Sequence, residues 1–311
     1  MLNPTVMRKL AKPMLFAAAL IWGSSFFLMK NTLDALPTFY LLAIRFSAGA
    51  ILLALFCLPK WRKEMHLDYI WRGAVMGAFL FLAYSVQTFG LAGTTPSKNA
   101  FLTAVYCVLV PFLYWAVMKK KPDRYNILAA VLCVTGVGLV SLNENFSITW
   151  GDWLTLLSAV FYASHIVAVA KVSPGKDIYL LTVFQFAFAG LFAWICGFAT
   201  GTEFPAAALA DPNVLVSMAY LCVMATTVAL LFQNVGQVWS DPASAAVILS
   251  LESVFGVLFS VLFYGDPVTV RLLLGFALIF VAVVCSETKF SFLHRKTAKA
   301  ADRDADTGFG A

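Results

Sequence analysis

Charged side chains are scarce in this sequence. Only 12% of its 311 residues are Asp, Glu, Lys or Arg, whereas 61% are hydrophobic, and the mean hydropathy is +0.84. A soluble domain carries about a quarter charged residues. The lack of charge therefore argues against a water-soluble fold, and the excess of apolar side chains predicts that a lipid bilayer is the solvent.

The sequence signatures of several enzyme and motor classes are also absent. There is no GxxxxGK[ST] phosphate loop, no HExxH zinc motif and no GxSxG nucleophile elbow. These absences argue against an ATP-driven motor and against a membrane protease. We expect no catalytic residue, no cofactor and no metal site, and a membrane enzyme or sensor is kept only as a remote alternative.

The six cysteines lie in six different apolar runs and form no CxxC pair. This scatter predicts small buried side chains rather than a disulfide framework or a metal site. The pI is near 9.0, but the basic residues lie in short gaps between apolar runs, which indicates membrane topology rather than nucleic-acid binding. The expected partners are a small-molecule substrate and membrane lipids, and a monomer could suffice.

Ten apolar segments of spanning length follow one another, separated by charged or Gly/Pro-rich gaps. The first is too long for the apolar region of a signal peptide and is expected to be retained. Residues 1–12 and a disordered tail, residues 288–311, flank the helices. The predicted transmembrane helices cover residues 13–33, 37–58, 71–91, 96–118, 125–142, 151–170, 178–199, 213–235, 242–264 and 268–287.

Lysine and arginine are distributed unevenly over this topology. With the N-terminus in the cytoplasm, 18 of the 22 basic residues fall in cytoplasmic segments. The opposite side holds only Lys30, Lys98 and Arg271, and Arg45 lies inside the second helix. Because cytoplasmic loops carry the excess of basic residues, both termini are predicted to face the cytoplasm, in a bacterial-type inner membrane.

The two halves of the chain resemble each other. An offset of 140 residues places the first helix on the sixth, and an offset of 146 places the third and fourth on the eighth and ninth. Because five helices are an odd number, the second repeat, 151–287, must lie inverted relative to the first, 13–142; such repeats are typical of secondary transporters. Aligned pairs include Trp22 with Tyr162, Ser25 with His165, Arg45 with Gln185, Gln87 with Gln233, Pro96 with Pro242, and Tyr106 with Glu252.

Several short motifs occur in a characteristic order. They are Trp22-Gly23-Ser24-Ser25-Phe26, Leu36-Pro37, Ile44-Arg45-Phe46, Asn99-Ala100-Phe101-Leu102, Val110-Pro111, Pro242-Ala243-Ser244-Ala245-Ala246 with Glu252, and Tyr264-Gly265-Asp266-Pro267. The ordered set resembles the drug/metabolite transporter superfamily, in its ten-helix EamA-type branch. The sequence departs from that pattern at Ser253, where the family often has proline, and at Lys121, where the first repeat often has an acid.

The resemblance implies a secondary transporter that moves a small metabolite, such as an amino acid or an amine, commonly outward and by alternating access. It also implies a central cavity lined by helices 1, 3, 4, 6, 8 and 9. An importer of a small amine or other metabolite on the same fold is the alternative. The resemblance leaves the substrate, the direction and the ion coupling open.

Glu252 is the sharpest candidate for a functional residue. It lies about halfway along the ninth predicted helix, on one face with Ala245, Leu249 and Gly256. A charge at membrane depth is costly and therefore suggests function. We predict that Glu252 binds a cation or a proton in the cavity, the alternative being a protonated or paired structural carboxyl.

The other candidate substrate-binding residues are polar or aromatic side chains on the cavity helices. Around a single acid, they suit a small zwitterion or an amine, although polar side chains also join transmembrane helices to one another. For His165, a titrating group and a buried core histidine are equally good interpretations. The candidates are Trp22, Ser25, Phe81, Tyr84, Thr88, Asn99, Thr103, Tyr106, Tyr162, His165, Thr226, Gln233 and Gln237.

Four further residues are expected to be structural. The resemblance places helix 2 outside the cavity, so Arg45 is expected to bond backbone carbonyls or a buried acid rather than a substrate. Lys30 is expected to extend to the membrane interface. Pro96 and Pro242 are expected to start helices rather than to act as pivots.

Overall fold

The computed structural model describes residues 4–64, 66–141, 148–265 and 268–288, and all regular secondary structure in these ranges is helical. Eight of the described helices are long and apolar enough to cross a membrane. Two shorter apolar stretches, Arg124–Cys133 and Val270–Ala282, belong to the fifth and tenth helices. The predicted all-α polytopic fold with ten apolar helices is confirmed.

Most helix ends agree closely with the predicted spans. One exception is the first helix, which begins at Pro4 instead of residue 13. Its additional turns are held by a close contact, because Gly236 packs against Leu15 and the carbonyl of Ala11. The helices are α1 (Pro4–Leu33), α2 (Thr38–Glu64), α3 (Asp68–Ala92), α4 (Pro96–Met118), α5 (Arg124–Ser141), α6 (Trp150–Val172), α7 (Ile178–Ala199), α8 (Pro212–Val238), α9 (Pro242–Phe263) and α10 (Val270–Thr288).

Helices α4 and α9 are each broken, and the breaks lie at aligned positions of the two repeats. At each break a backbone N–H bonds to the carbonyl three residues back, from Cys107 to Ala104 and from Ser253 to Ser250, both at 3.0 Å. This tighter winding separates each helix into two segments within the membrane. The segments are Pro96–Thr103 and Tyr106–Met118 in α4, and Pro242–Leu249 and Glu252–Phe263 in α9.

Helix α8 contains a π-helical segment, Leu221–Val228. Within it, the hydroxyl of Thr226 donates to the carbonyl of Leu221, five residues back, at 2.8 Å. The indole N–H of Trp22 donates to the carbonyl of Ala225 at 2.7 Å and so joins α1 to this segment. Segments of this kind occur mostly as single turns and frequently lie at functional sites.

Glycines allow the helices to approach closely. A Cβ added at Gly73 of α3 would lie 2.2 Å from the Cβ of Phe184 in α7. One added at Gly90 would lie 2.5 Å from the hydroxyl of Thr155 in α6. The fifth helices of the two repeats, α5 and α10, also pack on each other. Small residues at helix contacts are the usual solution in membranes, where apolar burial alone does not drive association.

The outer faces of the helices expose apolar side chains. A water-soluble protein would bury side chains of this kind, whereas a bilayer solvates them. The surface is therefore suited to contact with lipid. Examples are Ile51, Leu55 and Phe56 on α2, Val131 on α5, Leu191, Ile195 and Phe198 on α7, and Leu273 and Leu274 on α10.

Lys30 has a more specific role than predicted. Its ammonium donates to the carbonyls of Leu91, Ala92 and Thr94 at 2.8, 3.0 and 3.1 Å. Leu91 and Ala92 are the last residues of α3 and Thr94 follows just beyond its end, so Lys30 of α1 caps the C-terminal end of α3.

The two prolines do start their helices. Pro96 and Pro242 follow N-cap residues Thr95 and Asp241, whose side chains accept hydrogen bonds from backbone N–H groups of the first turn. This confirms the predicted helix starts. The predicted tail lies outside the described residues except for Thr288.

Candidate substrate-binding site

A cavity of about 460 Å³, including its opening to solvent, lies between the helices of the two repeats. All six helices expected to line it contribute side chains, and α2 contributes as well. Its wall combines a carboxylate, a guanidinium, two amides, a hydroxyl and a majority of aromatic or apolar side chains. The lining residues are Trp22, Ser25, Phe26, Met29, Arg45, Tyr84, Gln87, Tyr106, Tyr162, Ile166, Gln233, Leu249 and Glu252.

Four pairs of lining residues occupy aligned positions of the two repeats. The cavity is thus built from corresponding positions of both halves. Three of the four pairs differ in chemistry, most of all where a phenol in one half corresponds to a carboxylate in the other. The pairs are Trp22 with Tyr162, Phe26 with Ile166, Gln87 with Gln233, and Tyr106 with Glu252.

Glu252 begins the second segment of α9, and only 5% of its surface is exposed. Among the described residues no cation forms an ion pair with its carboxylate. The hydroxyl of Tyr106 faces this carboxylate but completes no hydrogen bond of normal geometry. The carboxyl is therefore buried without a countercharge.

The predicted face around Glu252 is only partly open. Leu249 lines the cavity, as expected. Gly256 does not leave room for a ligand, because a Cβ there would lie 2.6 Å from the Cβ of Ala100. The break in α9 ends the regular helical face between Leu249 and Glu252, so the face read from a continuous helix does not persist.

Arg45 lies on the cavity wall, contrary to the expectation that helix 2 stays outside. It is 1% exposed, and its Nε donates to the hydroxyl of Thr226 at 3.0 Å. One terminal nitrogen contacts the sulfur of Met29 at 3.1 Å, and the guanidinium lies 5.3 Å from the ring centroid of Tyr84. No buried acid or backbone carbonyl takes the role that was predicted for a structural Arg45, at least among the described residues.

Hydrogen bonds fix the amide of Gln87 between the repeats. Its carbonyl oxygen accepts from the hydroxyl of Tyr162 at 2.7 Å, and its nitrogen donates to Thr103 at 2.9 Å. Asn99 donates to the backbone carbonyl of Gln87 at 3.3 Å and to Thr155 at 2.7 Å. This network orients Tyr162 and Gln87 on the wall and places Asn99 and Thr103 behind it.

Seven of the fourteen predicted site residues line the cavity, and seven do not. The side chains of the second group are also buried but do not line this cavity. A binding role for the first group stays a prediction. The lining group is Trp22, Ser25, Tyr84, Tyr106, Tyr162, Gln233 and Glu252; the others are Phe81, Thr88, Asn99, Thr103, His165, Thr226 and Gln237.

The residues outside the cavity have other surroundings. Phe81 stacks near Phe39, with 6.2 Å between ring centroids, and Thr226 supports Arg45. Thr88, His165 and Gln237 are buried, and the polar atoms of their side chains have no hydrogen-bond partner of normal geometry in the described structure. Besides Arg45, the cavity is lined by Phe26, Met29, Gln87, Ile166 and Leu249, which were not among the fourteen predicted site residues, although Leu249 was expected on the face of Glu252. Phe26, Met29 and Ile166 continue the helical spacing of Trp22 and Tyr162.

The sequence profile of the EamA-like transporter family matches residues 10–142 and 149–288. The chain belongs to this family. Each match covers one five-helix half, in agreement with the repeat predicted from the two offsets. The EamA-like assignment confirms the resemblance, and with it the role of a membrane transporter.

Relatives in bacteria and archaea carry the same general description. An "uncharacterized transporter" of Archaeoglobus fulgidus is 34% identical over 86% of this chain and 82% of its own length. The transporters YvbV of Bacillus subtilis and YedA of Escherichia coli are 25% and 21% identical over 87% and 94% of this chain and 89% and 96% of theirs. One solved crystal structure superposes with a TM-score of 0.71 at 15% identity, over 91% of this chain and 98% of that one, which supports the fold.

Proposed function

We propose that this EamA-like protein is a secondary transporter that exports a small metabolite, an amino acid or an amine, by alternating access across the inner membrane. The observation that carries the proposal is the carboxyl group of Glu252, which is buried on the cavity wall and has no countercharge among the described residues. A charge at this depth is costly unless a ligand, a proton or water completes its site.

The surroundings of Glu252 favour an organic cation as the ligand. Trp22, Tyr106 and Tyr162 present aromatic groups to the same cavity. Aromatic faces attract ammonium groups, and the attraction grows when both partners are removed from water. The amides of Gln87 and Gln233 add hydrogen-bonding groups that can fix the orientation of a small polar molecule.

Alternating access is supported by the paired breaks in α4 and α9. Both second segments begin at the cavity, with Tyr106 and Glu252 as their first residues. Discontinuous helices at the repeat interface are a common way to build a transport site, because each segment can tilt without unwinding its partner. Two repeats of opposite orientation would then give two related states, one open to each side.

We also propose a membrane orientation and a monomeric state for the transporter. The excess of basic residues on one side supports a cytoplasmic location for both termini. The cavity is lined by one chain, so a monomer surrounded by lipid would be a complete transport unit.

The test is solute flux in liposomes that contain only the purified protein. We expect radiolabelled amino acids or amines to equilibrate across the membrane much faster than in protein-free liposomes. Excretion of the same solute from cells that express the protein would establish export, and accumulation would favour the importer. Conversion of the solute without flux would contradict the proposal and favour an enzyme.

A further inference from the structure

A buried guanidinium and a buried carboxyl group, which carry opposite charges when ionised, face one cavity from different halves of the protein. Arg45 comes from α2 of the first half and Glu252 from α9 of the second, and they are 1% and 5% exposed. Both line the cavity, yet they form no ion pair with each other. Within the described structure neither side chain has any other charged partner.

The partners of the Arg45 guanidinium are all neutral. They are the hydroxyl of Thr226, the sulfur of Met29 and the aromatic face of Tyr84. These contacts fix the orientation of the planar group but leave its charge uncompensated. A guanidinium presents donors in a fork that matches a carboxylate, so Arg45 on the cavity wall is suited to bind one.

Three tyrosines on the cavity wall form a row of neighbouring rings, with Arg45 near one end and Glu252 near the other. Tyr84 is next to Arg45, and its ring centroid lies 5.5 Å from that of Tyr162. The ring of Tyr162 in turn lies 6.1 Å from that of Tyr106, which faces Glu252. This row of rings links the surroundings of Arg45 to those of Glu252, and the two side chains line the cavity without forming an ion pair with each other.

We propose that the cavity is selective for zwitterions, with the substrate carboxylate on Arg45 and its ammonium on Glu252. The inference rests on the proposed function and narrows it from amino acids or amines to the former. A zwitterion brings one charge of each sign, so the occupied site is neutral overall and both buried charges are paired. An amine would leave the guanidinium unpaired inside the membrane, and a carboxylic acid would leave the carboxylate unpaired.

The first experiment compares matched ligands on the full-length wild-type protein in detergent. Leucine, isoamylamine and 4-methylpentanoate form one set; phenylalanine, phenethylamine and 3-phenylpropanoate form another. We expect the amino acid of at least one set to raise the melting temperature by mass action. Its amine and its acid should bind about 30-fold more weakly or worse, since each leaves a buried charge without its partner.

The second experiment asks whether the two charges set this preference. Arg45→Gln should bring the affinities for the amino acid and the amine to within a few-fold of each other, and Arg45→Lys should restore part of the difference. Glu252→Gln should bring the affinities for the amino acid and the carboxylic acid to within a few-fold of each other. Arg72→Gln is the matched control: Arg72 pairs with Asp68 at 3.0 Å, away from the cavity, so the wild-type preference should persist.

An amine that binds wild-type protein as tightly as its amino acid would overturn the inference, as would a failure of both amino acids to bind. So would an unchanged preference in a folded Arg45→Gln protein. If that variant does not fold, the ligand preferences of the wild-type protein and of Arg45→Lys still test the inference. Flux of amines alone in liposomes would refute zwitterion selectivity but leave the transporter intact, whereas the absence of all flux would refute the proposed function.

Discussion

Tyr106 and Glu252 stand at the same position of the two repeats, 146 residues apart, and each begins the second segment of a broken helix. Both line one cavity, and the tyrosine hydroxyl faces the carboxyl group but completes no hydrogen bond of normal geometry within the described structure. The two repeats thus present different chemistry at matching positions. The backbone of the cavity is therefore related by the repeat, whereas the side chains at this position are not, since the second half alone contributes a carboxyl group there.

The unpartnered hydroxyl gives a prediction about stability. Tyr106→Phe should leave the melting temperature unchanged or slightly raised, because it removes a buried polar group that has no partner. Tyr162→Phe is the matched comparison and should destabilise the protein by about 1 kcal/mol, since it removes the 2.7 Å bond to Gln87. Thermal unfolding in detergent measures both; equal losses would show that the Tyr106 hydroxyl is bonded in the native protein.

Glu252→Gln should separate function from folding. The amide keeps the shape of the side chain and removes its charge, so we expect a folded protein whose transport in liposomes is lost. A structural ion pair would behave differently, because removal of one partner costs about 3–5 kcal/mol. Glu203→Gln, at an exposed loop position, is the control and should transport normally. Unimpaired transport by Glu252→Gln would rule out a role of the charge.

Gly23 should be among the least tolerant positions of α1. A Cβ there would lie 2.3 Å from the Cβ of Phe255 in α9, so Gly23→Ala must push two helices apart. Overpacking of this kind costs about 1–3 kcal/mol. At Gly49 the nearest atom would be 3.2 Å away, and Gly49→Ala should lower the melting temperature less. Comparable melting temperatures for the two variants would contradict the tight contact.

The orientation can be checked with fusion reporters. A reporter that is active only in the cytoplasm should be active when fused after Glu287 and silent when inserted after Gly201, on the other side of α7. The reason is the 18-to-3 excess of basic residues on the predicted cytoplasmic side. The opposite pattern of activity would contradict the predicted orientation and invert the topology.

The helices could be predicted because their signal is strong and local. Apolar runs of spanning length leave no other structure for the backbone in a bilayer. The repeat was visible because pairs such as Gln87 with Gln233 kept their identity at a constant offset. The breaks in α4 and α9 could not be predicted in the same way. They lie at Ala104-Val105 and Ser250-Leu251, which contain neither proline nor glycine.

The cavity lining was harder to predict because it depends on how each helix is rotated about its axis and on how far each side chain extends. On α3 the predicted face ran through Phe81, Tyr84 and Thr88, whereas the cavity takes Tyr84 and Gln87. An error of one residue turns a helical face by about 100°. Arg45 was missed for another reason. The resemblance places its helix outside the cavity, but the long side chain of Arg45 carries the guanidinium to the cavity wall.

The π-helical segment Leu221–Val228 makes part of the cavity wall depend on the winding of a single helix. The acceptors of Trp22 and Arg45 lie inside this segment, and Gln233 follows one turn beyond it. A return to α-helical winding would turn one end of α8 by about 100° relative to the other. Either the two hydrogen-bond acceptors of Trp22 and Arg45 or the amide of Gln233 would then face away from the cavity. The number of residues in this stretch is therefore as constrained as their identity, and a single deletion there should be more damaging than most substitutions.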